Sequence, residues 1–249
     1  MRFITKILPL LAVLVSMSAV AQEKLVDDIM VTPVEHATFL IQSRGITVYV
    51  DPVGDAGGFA RFPKPDIILI THLHHDHFDP GLIKFLKADG TLVVGPKTVI
   101  VQLGYGTPLD NGGETTAKGI RIEAVPAYNT TPDRKEFHPQ GRDNGYVLNL
   151  EGKRIYISGD TEDTREMRQL RNIDTAFICI NLPYTMSVEQ AASAILEMKP
   201  RKVVPYHYRA KGEMTDLQEF KRLVGKNKDI EILLLDWYGA KSGSGEKRK

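Results

Sequence analysis

Four of the chain's seven histidines lie within six residues, between positions 72 and 77 of the stretch THLHHDHFD. His72 and His74 are two residues apart, so both side chains point to the same side of an extended segment. Asp76 and His77 follow where the chain is expected to turn. Imidazole and carboxylate groups that converge in this way suit zinc, with manganese or iron as alternatives. Because short His-rich tracts mainly signal metal binding, this stretch predicts a metal site rather than an exposed polar loop.

The residues on either side of the histidines predict the elements that position them. The run DIILI at 66–70 has the length and composition of a fully buried strand. Asp79 and Pro80 are typical of a helix start, with Asp79 as the N-cap and Pro80 at the first helical position. The metal site is therefore expected at the C-terminal end of a strand, just before a helix.

The rest of the chain predicts one layered α/β domain over residues 22–240. Strands dominate first and helices arrive between later strands, which favours sheet packed on sheet with helices outside. Strands are predicted at 29–34, 38–42, 46–50, 91–94, 119–127, 145–150, 153–158, 174–180, 202–206 and 230–235, and helices at 81–88, 162–171, 187–199 and 216–226. The segment 97–104 fits neither class. Residues 128–145 form a long polar loop, of a kind that is often functional.

Composition narrows the range of partners. The chain has 249 residues and a formal net charge of +1, which does not indicate a nucleic-acid or polyanion partner. A small-molecule substrate is the expected partner, and the sequence leaves the oligomeric state open. The single cysteine, Cys179, cannot form an internal disulfide, and in the apolar run AFICI it is expected to be a buried small hydrophobe.

The two ends of the chain differ from the rest. Residues 1–21 have the features of a secretory signal peptide, since Arg2 and Lys6 precede an apolar run and 19–21 form an A-x-A cleavage pattern. The run is short for a membrane span of ~20 residues, so cleavage without a lasting membrane anchor is predicted. Together with the lone cysteine, this favours a periplasmic or secreted location. The Gly/Ser-rich tail at 241–249 is predicted to be disordered.

The histidine stretch resembles the T-H-x-H-x-D-H signature of the metallo-β-lactamase superfamily. Asp160, in the sequence GDT, follows the strand KRIYIS as the superfamily's metal-bridging aspartate does. His207 ends the strand KVVPY, where the last histidine ligand is expected. His36, in the sequence HATFL, is similar to the opening pattern of one branch of the superfamily. That branch includes L-ascorbate-6-phosphate lactonase-like proteins and N-acyl-phosphatidylethanolamine phospholipase D.

This resemblance implies a four-layer αββα sandwich with a two-metal site at the sheet edges. It implies two zinc ions, with manganese or iron as alternatives, that share a hydroxide able to attack a carbonyl carbon or a phosphorus. The superfamily's ligands fall on His72, His74 and a third histidine for one metal, on Asp76, His77 and His207 for the other, and on Asp160 as the bridge. Asp76 and His36 are the expected catalytic groups. Asp76 would take part in proton transfer, and His36 would orient a ligand or touch substrate, a buried structural histidine being the alternative.

The sequence departs from the pattern at the third histidine. After the strand at 119–127 the chain reads PAYN, with Tyr128 and Asn129 at the expected place, and the next histidine is His138 in the sequence FHP. Superfamily members that carry both patterns favour His138 as a ligand or a residue near the site. The alternatives are an exposed loop histidine, with Tyr128 or Asn129 in its place at the metal, and a first metal held by fewer protein groups.

Four further residues are candidates for supporting roles. Asp51 is expected to shape a turn or to support a ligand from behind. His75 points away from its ligand neighbours and is expected to be structural. Tyr184 could line a pocket, and Tyr128 could supply a phenol to an oxyanion.

The expected function is a metal-dependent hydrolase of a small ester, lactone, amide or phosphodiester. One alternative is an exported metal- or ligand-binding protein of the same fold with little turnover, which the missing third histidine would explain. Another is a β-lactamase, which the HATFL and PAYN sequences and the absence of a cysteine near the GDT sequence disfavour. Fold alone does not select a substrate.

Overall fold

The computed structural model describes residues 22–239. The signal peptide predicted at 1–21 and the disordered tail predicted at 241–249 lie outside the described residues, and both stay predictions. None of the helices within the described range is long and apolar enough to cross a bilayer.

The first sheet is built from the N-terminal half of the described residues, with its seven strands in chain order. The strands are β1 (Glu23–Val26), β2 (Ile29–Glu35), β3 (Thr38–Ser43), β4 (Ile46–Val50), β5 (Ile67–Leu69), β6 (Leu92–Gly95) and β7 (Thr107–Pro108). Strands β1 to β4 pair antiparallel, whereas β4 to β7 pair parallel. The helices between them are α1 (Ala56–Phe59), α2 (Pro80–Leu86) and α3 (Lys97–Leu103).

The second sheet repeats this plan. Its strands are β8 (Glu114–Ala117), β9 (Ile120–Ala127), β10 (Asp143–Leu150), β11 (Lys153–Ile157), β12 (Thr175–Cys179), β13 (Lys202–Tyr206) and β16 (Glu231–Ile232). Strands β8 to β11 pair antiparallel, and β11, β12, β13 and β16 pair parallel. The helices are α4 (Arg165–Arg168), α5 (Val188–Met198) and α6 (Leu217–Val224), and a short hairpin joins β14 (Arg209–Ala210) to β15 (Glu213–Met214).

The two sheets pack face to face around a shared apolar core. Phe39 of β3 stacks on Phe177 of β12, with ring centroids 4.5 Å apart. Tyr206 and Trp237 contact the same Phe39 ring edge-on. These aromatic pairs join the sheets directly below the strand ends from which the polar loops emerge.

Helices cover the outer faces of both sheets. Ile68 of β5 packs with Ile83 of α2 and Val99 of α3. Ala191 and Ile195 of α5 are fully buried in the core that includes the second sheet. The four-layer αββα sandwich implied by the sequence is therefore confirmed.

Most predicted elements agree with the structure within a few residues, two differ in extent, and one segment without a prediction is a helix. The unassigned segment 97–104 forms α3, which ends at Gly104 in the left-handed conformation. The helix predicted at 162–171 is wrong in extent, because the fully buried Glu162 side chain binds a neighbouring loop and only Arg165–Arg168 is helical. The strand predicted at 230–235 is also too long, since only Glu231–Ile232 pairs with β13.

A capping box begins helix α5. The Gln190 N–H donates to Ser187 Oγ at 3.2 Å, and the Ser187 N–H donates to Gln190 Oε1 at 3.0 Å. We expect Ser187→Ala to lower the free energy of unfolding by about 1 kcal/mol, because the Gln190 N–H loses the hydroxyl that accepts its hydrogen bond. Chemical denaturation followed by circular dichroism measures this change. Ser187→Thr, which keeps the hydroxyl, is the control, and equal stability of the two variants would contradict the prediction.

Candidate metal centre

The strand ends of both sheets bring together every residue predicted as a metal ligand or catalytic group. Within residues 22–239, three groups, two of which share His72, have nitrogen or carboxylate oxygen atoms within 4.8 Å of one another. They are His72, His74 and His138; His72, His77 and Asp160; and His36, Asp76 and His207. The histidine stretch follows β5, Asp160 follows β11 and His207 follows β13, as expected for a ligand site at the carboxyl ends of parallel strands.

The loop after β9 folds back so that His138 joins His72 and His74. The Asn129 N–H donates to the His138 carbonyl at 2.8 Å, so residue 138 lies beside the position that directly follows the strand. The His138 ring centroid is 5.0 Å from that of His72 and 4.8 Å from that of His74. Its side chain is buried, so the alternative of an exposed loop histidine is wrong.

Glu162 holds this loop in its path. Its Oε2 atom accepts hydrogen bonds from the N–H groups of Thr130 at 2.6 Å and Thr131 at 2.7 Å. Its Oε1 atom lies 2.7 Å from Arg134 Nη2. Burial alone would raise the pKa of Glu162, but the hydrogen bonds from Thr131 and Thr130 outweigh it and lower the pKa. A charged anchor therefore fixes the backbone that returns His138.

Tyr128 and Asn129, the other candidates for the third ligand, are engaged elsewhere. The Tyr128 hydroxyl donates to Glu166 at 3.0 Å, away from the histidines. The Asn129 amide donates to the carbonyls of Arg134 at 2.9 Å and Tyr184 at 2.7 Å. The interpretation of Tyr128 as a donor to an oxyanion also finds no support in this geometry.

Asp160 lies between the histidines of the two halves. Its Oδ1 atom is 3.4 Å from Nε2 of both His77 and His207, and its Oδ2 atom is 3.4 Å from Nε2 of His138. Gly159 directly before it has a φ of 60°, and an added Cβ would lie 2.8 Å from the Asn144 carbonyl oxygen. The glycine of the GDT sequence is therefore required by both conformation and space.

His72 and His77 are oriented from behind by one buried carboxylate. Asp51 Oδ2 lies 2.7 Å from Nδ1 of His77 and accepts the Thr71 hydroxyl at 2.7 Å. The Thr71 oxygen in turn lies 2.9 Å from Nδ1 of His72. This network assigns the proton to Nδ1 of both rings and leaves each Nε2 as a free electron-pair donor. Asp51 thus has the supporting role considered from the sequence.

His138 is oriented in the same manner by Asp143. Its Nδ1 atom lies 3.2 Å from Asp143 Oδ2, while its Nε2 faces Asp160. Arg142 fixes that carboxylate with two hydrogen bonds, from Nε to Oδ1 at 2.7 Å and from Nη2 to Oδ2 at 2.8 Å. Nothing in the spacing of these residues indicated this role, although Asp143 is only five residues from His138.

A third set of contacts forms the outer edge of the site. Asp76 Oδ2 lies 3.4 Å from Nε2 of His36 and 3.5 Å from Nε2 of His207. The other ring nitrogen of His36 is 2.8 Å from the Tyr238 hydroxyl, and Asn181 contacts the His207 ring at 3.3 Å. Tyr238 is thirty-one residues beyond His207 and could not be linked to the site from the sequence.

The donor atoms at the centre fit a cation. Nε2 of His72, Nε2 of His77 and Oδ1 of Asp160 are buried and have no hydrogen-bond partner within the described residues. Leaving buried polar atoms unpaired costs about 1–3 kcal/mol each, so three that face one point indicate a group that binds between them. Imidazole nitrogens and a carboxylate are the ligands that zinc, manganese and iron accept.

Comparison with known proteins decides the family. Residues 30–207 match the family model described as the beta-lactamase superfamily domain. The chain belongs to the beta-lactamase superfamily. A UPF0173 metal-dependent hydrolase of Thermococcus onnurineus is 36% identical over 214 residues, covering 80% of this chain and 93% of that relative. A UPF0173 metal-dependent hydrolase of Lysinibacillus sphaericus is 32% identical over 213 residues, covering 80% and 93%.

Solved structures of similar proteins have the same fold. A candidate metal-dependent hydrolase from Parabacteroides distasonis is 41% identical, with a TM-score of 0.77 over 83% of this chain and 92% of that one. A metallo hydrolase of Ignicoccus hospitalis is 24% identical, with a TM-score of 0.71 over 84% and 95%, and supports the fold alone. The narrower lactonase-like branch stays a prediction.

The charges at the centre affect one another. Burial lowers the pKa of His72 well below its usual value, and the neighbouring His77 adds to this effect. Burial would raise the pKa of Asp160, but His207, His77 and the hydrogen bond from His138 outweigh it and hold the pKa well below its usual range. Asp160 is therefore an anion at neutral pH.

The pKa values of His138 and His207 are instead raised above the usual value of histidine. Burial would lower both, but contacts with Asp143 and Asp160 raise the pKa of His138 to about 9, and contacts with Asp160 and Asp76 raise that of His207 to about 9. A metal ion needs the neutral imidazole, so a cation bound here must displace protons from these rings.

Three residues of the site have a left-handed backbone conformation. His36, Asp51 and His207 have φ values of 55°, 42° and 48°. Non-glycine residues are uncommon in this left-handed region, and such strain clusters where side chains must be aimed for function.

Of the remaining residues with a predicted role, two agree with the structure and one does not. Cys179 is fully buried in the core, as predicted. Tyr184 lines the cavity at the centre, also as predicted. His75 was expected to be structural, but its side chain is exposed and lines the same cavity, because the chain turns between His74 and Asp76 and no longer alternates as a strand does.

Proposed function

We propose that this protein is a metal-dependent hydrolase of small molecules that binds two divalent cations, most simply zinc, with manganese or iron as the alternatives. Its relatives carry the name metal-dependent hydrolase, which supports the reaction class. The ester, lactone, amide and phosphodiester classes all remain within this proposal. Export to the periplasm, suggested by the N-terminal sequence, is part of the same proposal.

One observation carries the assignment. Three buried donor atoms without partners converge beside a cavity of about 440 Å³, which is lined by His74, His138, Asp160 and His207 among others. A volume of this size falls within the range of small-molecule sites. A structural metal site would be closed by its ligands, whereas this one faces the space that a substrate can enter.

The residues divide into those that hold cations and those that serve the substrate. His72, His74 and His138 would hold one cation, and Asp76, His77 and His207 the other, with Asp160 shared by both. Divalent cations supply an activated water nucleophile and polarise the bond under attack.

The groups at the cavity edge serve proton transfer. Asp76 faces the cavity between His36 and His207, where its carboxylate can accept a proton from the nucleophile and return it to the leaving group. Burial would raise the pKa of Asp76, but the hydrogen bonds from His207 and His36 hold it below its usual value. His36, held by Tyr238, keeps that carboxylate in place.

Metal removal tests the proposal. We expect dialysis against a chelator to abolish hydrolysis of a responsive ester, lactone, amide or phosphodiester, and added zinc or manganese to restore it, because the nucleophile requires the cations. Metal content by plasma mass spectrometry and rates on one substrate of each class are the measurements. Metal-bound protein without turnover on any class would reject the hydrolase. Fast, metal-dependent nitrocefin hydrolysis would instead identify a β-lactamase.

A further inference from the structure

The cavity carries two cationic side chains that the metal-binding groups do not use. Arg209 and Lys211 lie on the hairpin formed by β14 and β15, and both line the cavity. The hairpin turn consists of Lys211 and Gly212, with φ values of 51° and 81°. Two positive φ values define the tight hairpin turn whose twist matches the flanking strands, so Lys211 is carried by a regular element.

The hairpin is attached at its base to the second sheet, beside His207. The Thr215 N–H donates to the Tyr208 carbonyl at 2.8 Å. The Thr215 hydroxyl donates to the Ile180 carbonyl at 2.5 Å, which attaches the hairpin to the end of β12. Arg209 is two residues from His207, so its position is coupled to that of a candidate ligand.

Tyr238 joins Arg209 to the catalytic edge. The guanidinium carbon of Arg209 lies 4.3 Å from the centroid of the Tyr238 ring, a cation–π distance. The hydroxyl of the same ring contacts His36, which faces Asp76. A negative group bound by Arg209 would therefore lie near the carboxylate that we assign to proton transfer.

The positive charges of the Arg209 and Lys211 side chains are incompletely neutralised by neighbouring residues. Lys211 has no ion pair or hydrogen bond within residues 22–239. Arg209 approaches Glu35 at 3.8 Å, but both side chains are more than a third exposed. Exposed pairs at such a distance contribute about 0–1 kcal/mol, so Arg209 remains available to a stronger anionic partner.

The opposite flank of the cavity is aromatic. Phe137 directly precedes His138, and its ring contacts Tyr184 edge-on with centroids 5.1 Å apart. Phe137 is 36% exposed although it lines the cavity. His138 faces one oxygen of Asp160 and His207 faces the other. The aromatic pair therefore adjoins the histidine that contacts one oxygen of the central carboxylate, and the cationic hairpin adjoins the histidine that contacts the other.

We propose that the substrate is an organic anion with an apolar group, its carboxylate or phosphate held by Arg209 and Lys211 and its apolar group packed against Phe137 and Tyr184. As a statement about substrate this rests on the proposed hydrolase function, but the binding does not depend on turnover. The bond to be cleaved would lie between the two flanks, above Asp160.

Calorimetry on the protein as purified tests this binding. The probes are phenylbutyrate, its neutral amide phenylbutyramide and phenylpropylphosphonate. Because Arg209 and Lys211 lie on a partly exposed hairpin, we expect the affinity for either anion to exceed that for the amide by roughly tenfold. Tighter binding of phenylbutyrate or of phenylpropylphosphonate shows whether the hairpin prefers a carboxylate or a phosphate-like group. Equal affinity for the amide and both anions, or binding of none at millimolar concentration, overturns the proposal.

Charge variants separate the hairpin from direct binding to metal. We expect the double substitution Arg209→Gln and Lys211→Gln to remove the preference for anions, Arg209→Lys to restore part of it, and Phe137→Ala to weaken all three probes. Lys226→Gln with Lys228→Gln makes the same charge change on an exposed turn away from the cavity and should have no effect. An unchanged preference for anions in the hairpin variant would mean that the anion binds to the metal ions, and this would reject the proposal. Anion binding through the hairpin with no hydrolysis of any ester, lactone, amide or phosphodiester would reject the hydrolase alone.

Discussion

Asp160→Asn is expected to abolish metal-dependent hydrolysis, with a loss greater than about 100-fold. Removing an outer partner of a metal ligand costs about 10- to 100-fold in metal affinity or activity, and Asp160 occupies a more central place. It is the carboxylate whose two oxygens face His77 and His207 on one side and His138 on the other. The asparagine keeps the shape but removes the charge that balances the cations. Metal content and the rate on the responsive substrate are measured together.

Asp51→Asn is the matched control for this substitution. It removes the charge behind His77 and Thr71 rather than the charge at the centre, so we expect a loss within about 10- to 100-fold. Both variants should keep the circular dichroism spectrum of the parent protein. If Asp160→Asn retains full activity with a full complement of metal, or loses no more than Asp51→Asn, Asp160 is not the shared ligand.

The sequence predicts those parts of the site that depend on local structure, such as strand periodicity and helix capping. His72 and His74 are placed by the period of an extended segment, and the Asp79 cap fixes where that segment ends. Asp160 and His207 lie at the ends of predicted strands, so the resemblance to the superfamily was enough to place them. Their convergence follows from the αββα fold, in which the parallel strands of both sheets end at the same edge.

The parts that could not be predicted depend on long-range contacts. The return of His138 is fixed by Glu162 in the second half of the described chain, and no spacing rule links them. Glu162 looked like the start of a helix because its binding to a distant loop leaves no local signal. Tyr238 reaches His36 across 202 residues of sequence for the same reason. The cationic hairpin is two residues per strand, too short for any periodicity to predict.

His138→Ala is expected to reduce the metal content from about two ions to about one. His72 and His74 alone would leave the first cation with too few protein ligands, since zinc sites use three or four. The second cation keeps Asp76, His77 and His207, so it should remain. Plasma mass spectrometry of the purified protein gives the stoichiometry directly. The exported binding-protein alternative arose from a missing third histidine, and this measurement shows whether His138 fills that place.

Two further variants make the His138 result specific. Tyr128→Phe removes the hydroxyl that contacts Glu166 and should leave the metal content unchanged, whereas a drop would assign the phenol to the metal. Asp143→Asn weakens the orientation of the His138 ring but keeps its Nε2 donor. It should lower metal affinity by about 10- to 100-fold, and a saturating metal concentration should restore the full stoichiometry.

If His138→Ala still binds two ions, the histidine only packs against the site. If the parent protein itself binds one, the site is mononuclear and Asp160 bridges nothing, which would shift the balance from a two-metal hydrolase toward a binding protein.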